Sequence, residues 1–253
     1  METMRYREEK KSHKLVIFVI FVFLLIGCGV LVYAVKNEHE PQVVGTSATA
    51  TDTQSLVDVN SVQASASIDE LNNKTYEVKD NTTLSDSSVK NFKANIKIPV
   101  ISIDGVALDD INNKIKEKYS NLYNTLKNEL PNQEHSYTYT VTYNKYDNVV
   151  GDKRILSITI YDCIKDNEDG GTTYDDITTY NINFKDNKEL KSSDVVTTIL
   201  GSAYKSKIKD GIKNYADNYT YTGLEEFYIK DGKFHMVFNK GELVNKYVDI
   251  TIE

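Results

Sequence analysis

The chain is 253 residues long, and its 37 acidic against 30 basic residues give a formal net charge of −7. An acidic surface repels a phosphate backbone, which excludes nucleic acid as a partner and favours a cationic one. Its cysteines are Cys28, inside an apolar run, and Cys163, far downstream; they exclude a disulfide framework, and Cys163 reads as a buried apolar residue.

Residues 1–14 carry Arg5, Arg7, Lys10, Lys11 and Lys14 and read as a short cytoplasmic tail. From Leu15 to Val35 no charge occurs over 21 residues. At about 1.5 Å per residue, a helix of that length crosses a hydrocarbon layer of about 30 Å. Only Lys36 follows closely, so the positive-inside rule predicts a single-pass membrane protein with its N-terminus in the cytoplasm and its C-terminus outside. A second reading stays open. Leu25-Ile26-Gly27-Cys28 has the order of a lipobox, so that lipidation at Cys28 would replace the helix by acyl chains. Either way the remainder is tethered outside the cell membrane, with 25 basic and 34 acidic residues and a net charge of −9.

Residues 36–75 are rich in Gly, Ser, Thr and Ala, as in Gly45-Thr46-Ser47-Ala48-Thr49 and Ala64-Ser65-Ala66-Ser67. So little apolar surface cannot offset the entropy of ordering, so the segment reads as a flexible linker. As a random coil it would span roughly 33 Å.

Residues 76–253 read as one extracytoplasmic α+β domain of two fused halves, about 85–165 and 166–253. Alternation around Ile96, Ile98 and Val100 predicts a strand from Asn91 to Ile103, with Pro99 favouring an edge. Leu108, Ile111, Ile115, Tyr119, Leu122, Leu126 and Leu130 recur at three and four, which predicts a long helix stopped by Pro131. Strands follow at Tyr137–Tyr143, Ile155–Tyr161 and Thr172–Phe184, with a polar loop from Asp166 to Gly171. Ser192-Ser193-Asp194 offers an N-cap for a second helical stretch reaching about Tyr215. Asp231-Gly232 turns a hairpin between Phe227 and Phe238, and a last strand spans Tyr247–Ile252. The expected architecture is an antiparallel sheet covered by two amphipathic helices.

Three stretches carry a family likeness: Ile96-Lys97-Ile98-Pro99-Val100-Ile101-Ser102-Ile103-Asp104-Gly105 with the helix to Leu130, the run from Thr178 to Val196, and the hairpin 227–238. Over roughly residues 85–250 the chain resembles the paired bacterial domains of unknown function numbered 4163 and 3298. That pair occurs outside the membrane in the lysozyme-sensing anti-sigma factor of sigma V and in some cell-wall polysaccharide deacetylases. The resemblance implies a non-catalytic binding or sensing module at the cell wall, directed at lysozyme or at peptidoglycan or another wall glycan. Its alternatives are an anti-sigma-like transmembrane signalling protein and an accessory of a wall-polysaccharide-modifying enzyme.

The candidate partner-binding group is acidic: Asp166, Glu168 and Asp169 in the polar loop, with Asp175 and Asp176 just beyond and Asp162 nearby. It lacks the alternating acids and late Glu of a calcium loop, so solvated hairpin charge that attracts a basic partner is the expectation. His135 and His235 are the histidines available to the domain, and neither has a metal-ligand or nucleophile spacing. Tyr137, Tyr139 and Tyr143 read as core tyrosines under the long helix, with a glycan platform as the weaker alternative. No catalytic pair, metal or cofactor is expected, and the protein is not expected to be an enzyme.

Overall fold

The computed structural model describes residues 67–253, except 82, 83, 85–88, 218, 245 and 246. The predicted tail, the membrane segment 15–35 with Cys28, and the linker as far as residue 66 lie outside the described residues. Among those described, no helix is long and apolar enough to cross a membrane.

The end of the predicted linker is folded. Helix α1, Ile68–Asn72, starts at a capping box in which Ser67 Oγ accepts from Glu70 N–H and Glu70 Oε2 accepts from Ser67 N–H. A five-residue helix does not persist on local propensity; here Leu71 is buried and Arg154 donates to the carbonyls of Leu71, Asn72 and Lys74. Strand β1 is Tyr76–Asn81.

The segment predicted as one strand from Asn91 to Ile103 breaks at Lys97 into β2, Phe92–Ile96, and β3, Ile98–Ile103. The two halves serve different sheets. β3 lies between β1 and the short β4, Val106–Ala107, both antiparallel. Pro99 stands opposite Asp80 of β1, while β4 reaches only Ser102 and Ile103, so the missing N–H of Pro99 falls where one side of the strand is open. β2 instead pairs in parallel with β5, Tyr137–Val150, which corrects the expectation of a purely antiparallel sheet.

Helix α2, Asp109–Glu129, buries Ile111, Ile115, Tyr119, Leu122, Tyr123 and Leu126 along one stripe, as its period requires. Asp109 and Asp110 open it and Lys127 closes it, matching the macrodipole. A 3₁₀ turn at Leu130–Asn132 carries Pro131. Asn112 ties the helix to β3 by bonding both the N–H and the C=O of Ile101.

β6, Lys153–Asp166, pairs antiparallel with β5 and with β7, Thr172–Asn183; the short β8, Lys188–Glu189, completes a five-stranded sheet in the order β2-β5-β6-β7-β8. Because β6 and β7 pair along their length, one sheet serves both predicted halves, 85–165 and 166–253. One face is mostly apolar, with Tyr139, Val141, Ile158 and Ile160 fully buried, and also carries the buried Asp162 and Asp176. The register puts Asn148, Ser157, Thr159 and Asn181 on the other face, and these are buried too.

The second helical stretch is broken into a 3₁₀ turn, Ser192–Asp194, helix α3, Val196–Leu200, and helix α4, Tyr204–Ile212, with Gly201 at φ +77° between the helices. It meets the five-stranded sheet only at the β5–β6 end, where Val150 and Ile155 join its core. Val196, Leu200, Ile208 and Ile212 pack in a separate core with Phe234, Met236, Val248 and Ile250. These belong to a three-stranded antiparallel sheet of β9, Phe227–Lys230, β10, Lys233–Phe238, and β11, Val248–Ile252, in the order β11-β10-β9. The class is α+β as expected, but among the described residues three sheets replace one sheet under two helices.

Candidate functional site

The predicted acidic group does not form one patch. Asp175 and Asp176 are neighbours on β7, and a strand sends successive side chains to opposite faces. Asp176 stands across from Asp162 on the face toward α2 and is buried. Asp175 stands across from Cys163 on the other face and is half-buried. Cys163 is half-buried rather than buried, and burial pushes its thiol up.

Asp166, Glu168 and Asp169 stay together at the β6–β7 turn, where the chain just after α2 meets them. His135 Nδ1 lies 2.7 Å from Asp166 Oδ2, and Asp166 Oδ1 accepts the N–H groups of Glu168 (3.0 Å) and Asp169 (3.2 Å). Glu168 accepts from Ser136 N–H at 2.7 Å and from Ser136 Oγ at 3.0 Å. Thr138 Oγ1 donates to Asn167 Oδ1, and Asn167 Nδ2 donates to Ser136 Oγ. The turn is thus stapled to the segment beside it, with Asp166 only 5% exposed while the Asp169 carboxylate is 73% exposed.

The electrostatics of this corner follow from those contacts. Burial alone would raise Asp166, but the His135 hydrogen bond and the N–H groups of Asp169 and Glu168 outweigh it and hold the carboxyl below its usual range. The hydrogen bond to Asp166 raises His135, and Asp169 and Glu168 add to it through space. One donor atom each from His135, Asp166 and Glu168 lie within 4.8 Å of one another. Each of these groups already has a protein partner, so the set reads as a hydrogen-bonded staple.

His235 has a partner that spacing did not show. Its Nδ1 lies 3.2 Å from Asp249 Oδ1 on the neighbouring strand and 3.3 Å from Thr251 Oγ1. Its ring stacks on Tyr228 at 4.5 Å, and the Tyr228 hydroxyl donates to Asp249 Oδ2 at 2.6 Å. Burial would raise Asp249, but the bonds from His235 and Tyr228 bring it below its ordinary value. The Val237–Asp249 and His235–Thr251 register carries this contact, and that register is a tertiary fact.

Tyr137 and Tyr139 are buried under α2, and Tyr143 gives its hydroxyl to Asp80 at 2.6 Å. They are core and clasp residues, and the glycan platform does not form. Two clefts are shallow. One, of about 120 Å³, is lined by Thr179, Glu189, Ser192 and Glu225; the other, of about 200 Å³, by Lys205, Ile208, Tyr219 and Tyr221. Both fall short of the roughly 300–1,000 Å³ typical of small-molecule sites.

No family model matches the chain, and no curated protein matches it. Solved structures do. One is a DUF3298 family protein from Pseudomonas aeruginosa PAO1, with a TM-score of 0.39 at 9% identity, covering 71% of this chain and 89% of that one. Another is a DUF3298 family member from Bacteroides fragilis NCTC 9343, with a TM-score of 0.38 at 13% identity, covering 71% of this chain and 90% of that one.

Proposed function

We propose that the protein is a non-catalytic, membrane-tethered binding or sensing module outside the cell, and that its occupant is a cationic wall-directed protein such as lysozyme. The observation that carries this reading is the stapled acidic turn. His135, Ser136 and the backbone of the turn fix Asp166, Glu168 and Asp169 before any partner arrives. A pre-ordered loop avoids an ordering cost on binding, and its projecting Asp169 carboxylate adds to an outer region of net charge −9. The shallow clefts fit a partner that is itself a protein surface better than a small substrate. Tethering rests on the uncharged run from Leu15 to Val35, by a helix or by lipid on Cys28.

The test is calorimetric titration of the full chain in detergent with lysozyme and with muropeptides, at low and high salt. Binding to lysozyme that weakens with salt, and weakens further in Asp169→Lys, supports the reading. Silence toward lysozyme at low salt overturns it. Binding to muropeptides alone would move the occupant to the wall glycan.

A further inference from the structure

The β6–β7 register sets Asp162 directly across from Asp176 on the face that α2 covers. Opposed side chains on one face stand with Cβ atoms about 4.5–5.5 Å apart. Asp162 is 0% exposed and Asp176 is 8% exposed. Tyr139 of β5 donates its hydroxyl to Asp162 Oδ2 at 3.2 Å. Lys118 of α2 places Nζ 3.6 Å from Asp176 Oδ2 and donates to Thr178 Oγ1, which Tyr119 also reaches at 3.3 Å. The remaining oxygens, Asp162 Oδ1 and Asp176 Oδ1, are buried without a hydrogen-bond partner among the described residues.

The charge count is unfavourable as it stands. Two carboxylates face one ammonium, and the other groups that bear on them, Glu226 and Glu242 near Asp176, Tyr161 and Cys163 near Asp162, and the phenol of Tyr119, bring no positive charge. A buried surplus negative charge with two orphaned oxygens is costly, and one proton removes both faults by converting an acceptor into a donor.

We propose that Asp162 keeps a proton in the native fold where it faces Asp176, and that this pair, with Lys118, is a pH-sensitive clasp between helix α2 and the five-stranded sheet. Burial first, then the neighbouring Asp176, pushes Asp162 up to about 7, against the opposing pull of Lys118 and Tyr139. The sign follows. A carboxyl whose folded value lies above its unfolded value keeps its proton in the fold when the unfolded chain has lost it, so stability falls as pH rises from about 4 to about 7 and is level beyond. The clasp is closed at acidic pH and strained by paired negative charge in alkali. It stands apart from the acidic turn and does not depend on what that turn binds.

The test compares pH-dependent unfolding of the full chain with that of Asp162→Asn, which keeps the shape and cannot ionise. Between about pH 4 and pH 7 the unfolding constant of the native chain should rise more steeply with pH than that of the variant, by up to about tenfold per pH unit. Equal slopes overturn the proposal. Infrared spectroscopy of the unaltered chain tests it without a variant: a buried protonated carboxyl band present at acidic pH should vanish in alkali, and its absence throughout overturns the proposal. A cation held by both carboxylates is the rival occupant, and loss of stability on adding a chelator at pH 6 would assign the site to it.

Discussion

Ile229 donates its backbone N–H to Ser157 Oγ at 3.1 Å, a contact between the edge strand of the C-terminal sheet and the polar face of the five-stranded sheet. Asn148 Nδ2 donates to the Ile229 carbonyl at 2.9 Å and Asn181 Nδ2 to the Phe227 carbonyl at 2.7 Å. Ser157 itself donates to Asn181 Oδ1 at 2.6 Å. The open edge of β9 is therefore capped by side chains, which is one way a sheet edge is kept from pairing with another chain. Ser157→Ala leaves a buried N–H without its acceptor, at a cost of about 1–3 kcal/mol. Urea unfolding measures it, and an unchanged midpoint would mean that water replaces the hydroxyl.

Arg154 joins the N-terminal end of the domain to the sheet. Its Nη1 donates to the carbonyls of Leu71, Asn72 and Lys74, its Nε and Nη2 form a two-point bond with Asp147, and it lies 4.3 Å from the centre of the Phe184 ring. Lysine has the charge but not the planar fork. Arg154→Lys should cost about 1–3 kcal/mol and release α1 first. Limited proteolysis read by mass spectrometry should show new cuts between Ser67 and Lys74 before any within α2.

The His135–Asp166 pair sets a pH window for the acidic turn. The folded histidine is raised above 6.5, so its contribution is whole below that value and fades as pH climbs through the folded value. The folded aspartate is lowered below 3.8, so its contribution is present above that value and is lost as pH falls through the folded one. The staple is complete between those limits. Proton NMR of the imidazole should give a midpoint above that of a free histidine in the native chain and a lower one in Asp166→Asn.

Asp231 at φ +51° and Gly232 at φ +73° turn the β9–β10 hairpin with both central residues left-handed. No atom lies near a Cβ placed on Gly232, so Gly232→Ala tests backbone strain alone. It should cost about 1–2 kcal/mol in thermal unfolding, whereas Asp231→Asn should be close to neutral.

Local chemistry settled much of the fold in advance. The stripe from Ile111 to Leu126 allows only a helix buried on one side, the alternating run at Tyr137 only a strand, and Asp231-Gly232 only a tight turn. What the sequence left undecided was partnership. An apolar alternation from Asn91 to Ile103 looks the same whether its halves join one sheet or two, and the break at Lys97 is decided by which neighbours the halves find. The short helix at Ile68 buries Leu71 and is held by Arg154, which no window around Ile68 contains.

The site divides in the same way. The sequence alone determined that acids crowd the β6–β7 turn; it did not separate Asp175 from Asp176, which the strand register sends to opposite faces. Only the tertiary structure decided that Asp176 meets Asp162, that His135 reaches Asp166 and that His235 reaches Asp249. The physical reason is range: dihedral preference and side-chain period act over a few residues, whereas register and burial couple positions 14 to 31 residues apart and set whether a carboxyl is solvated, paired or forced to keep its proton.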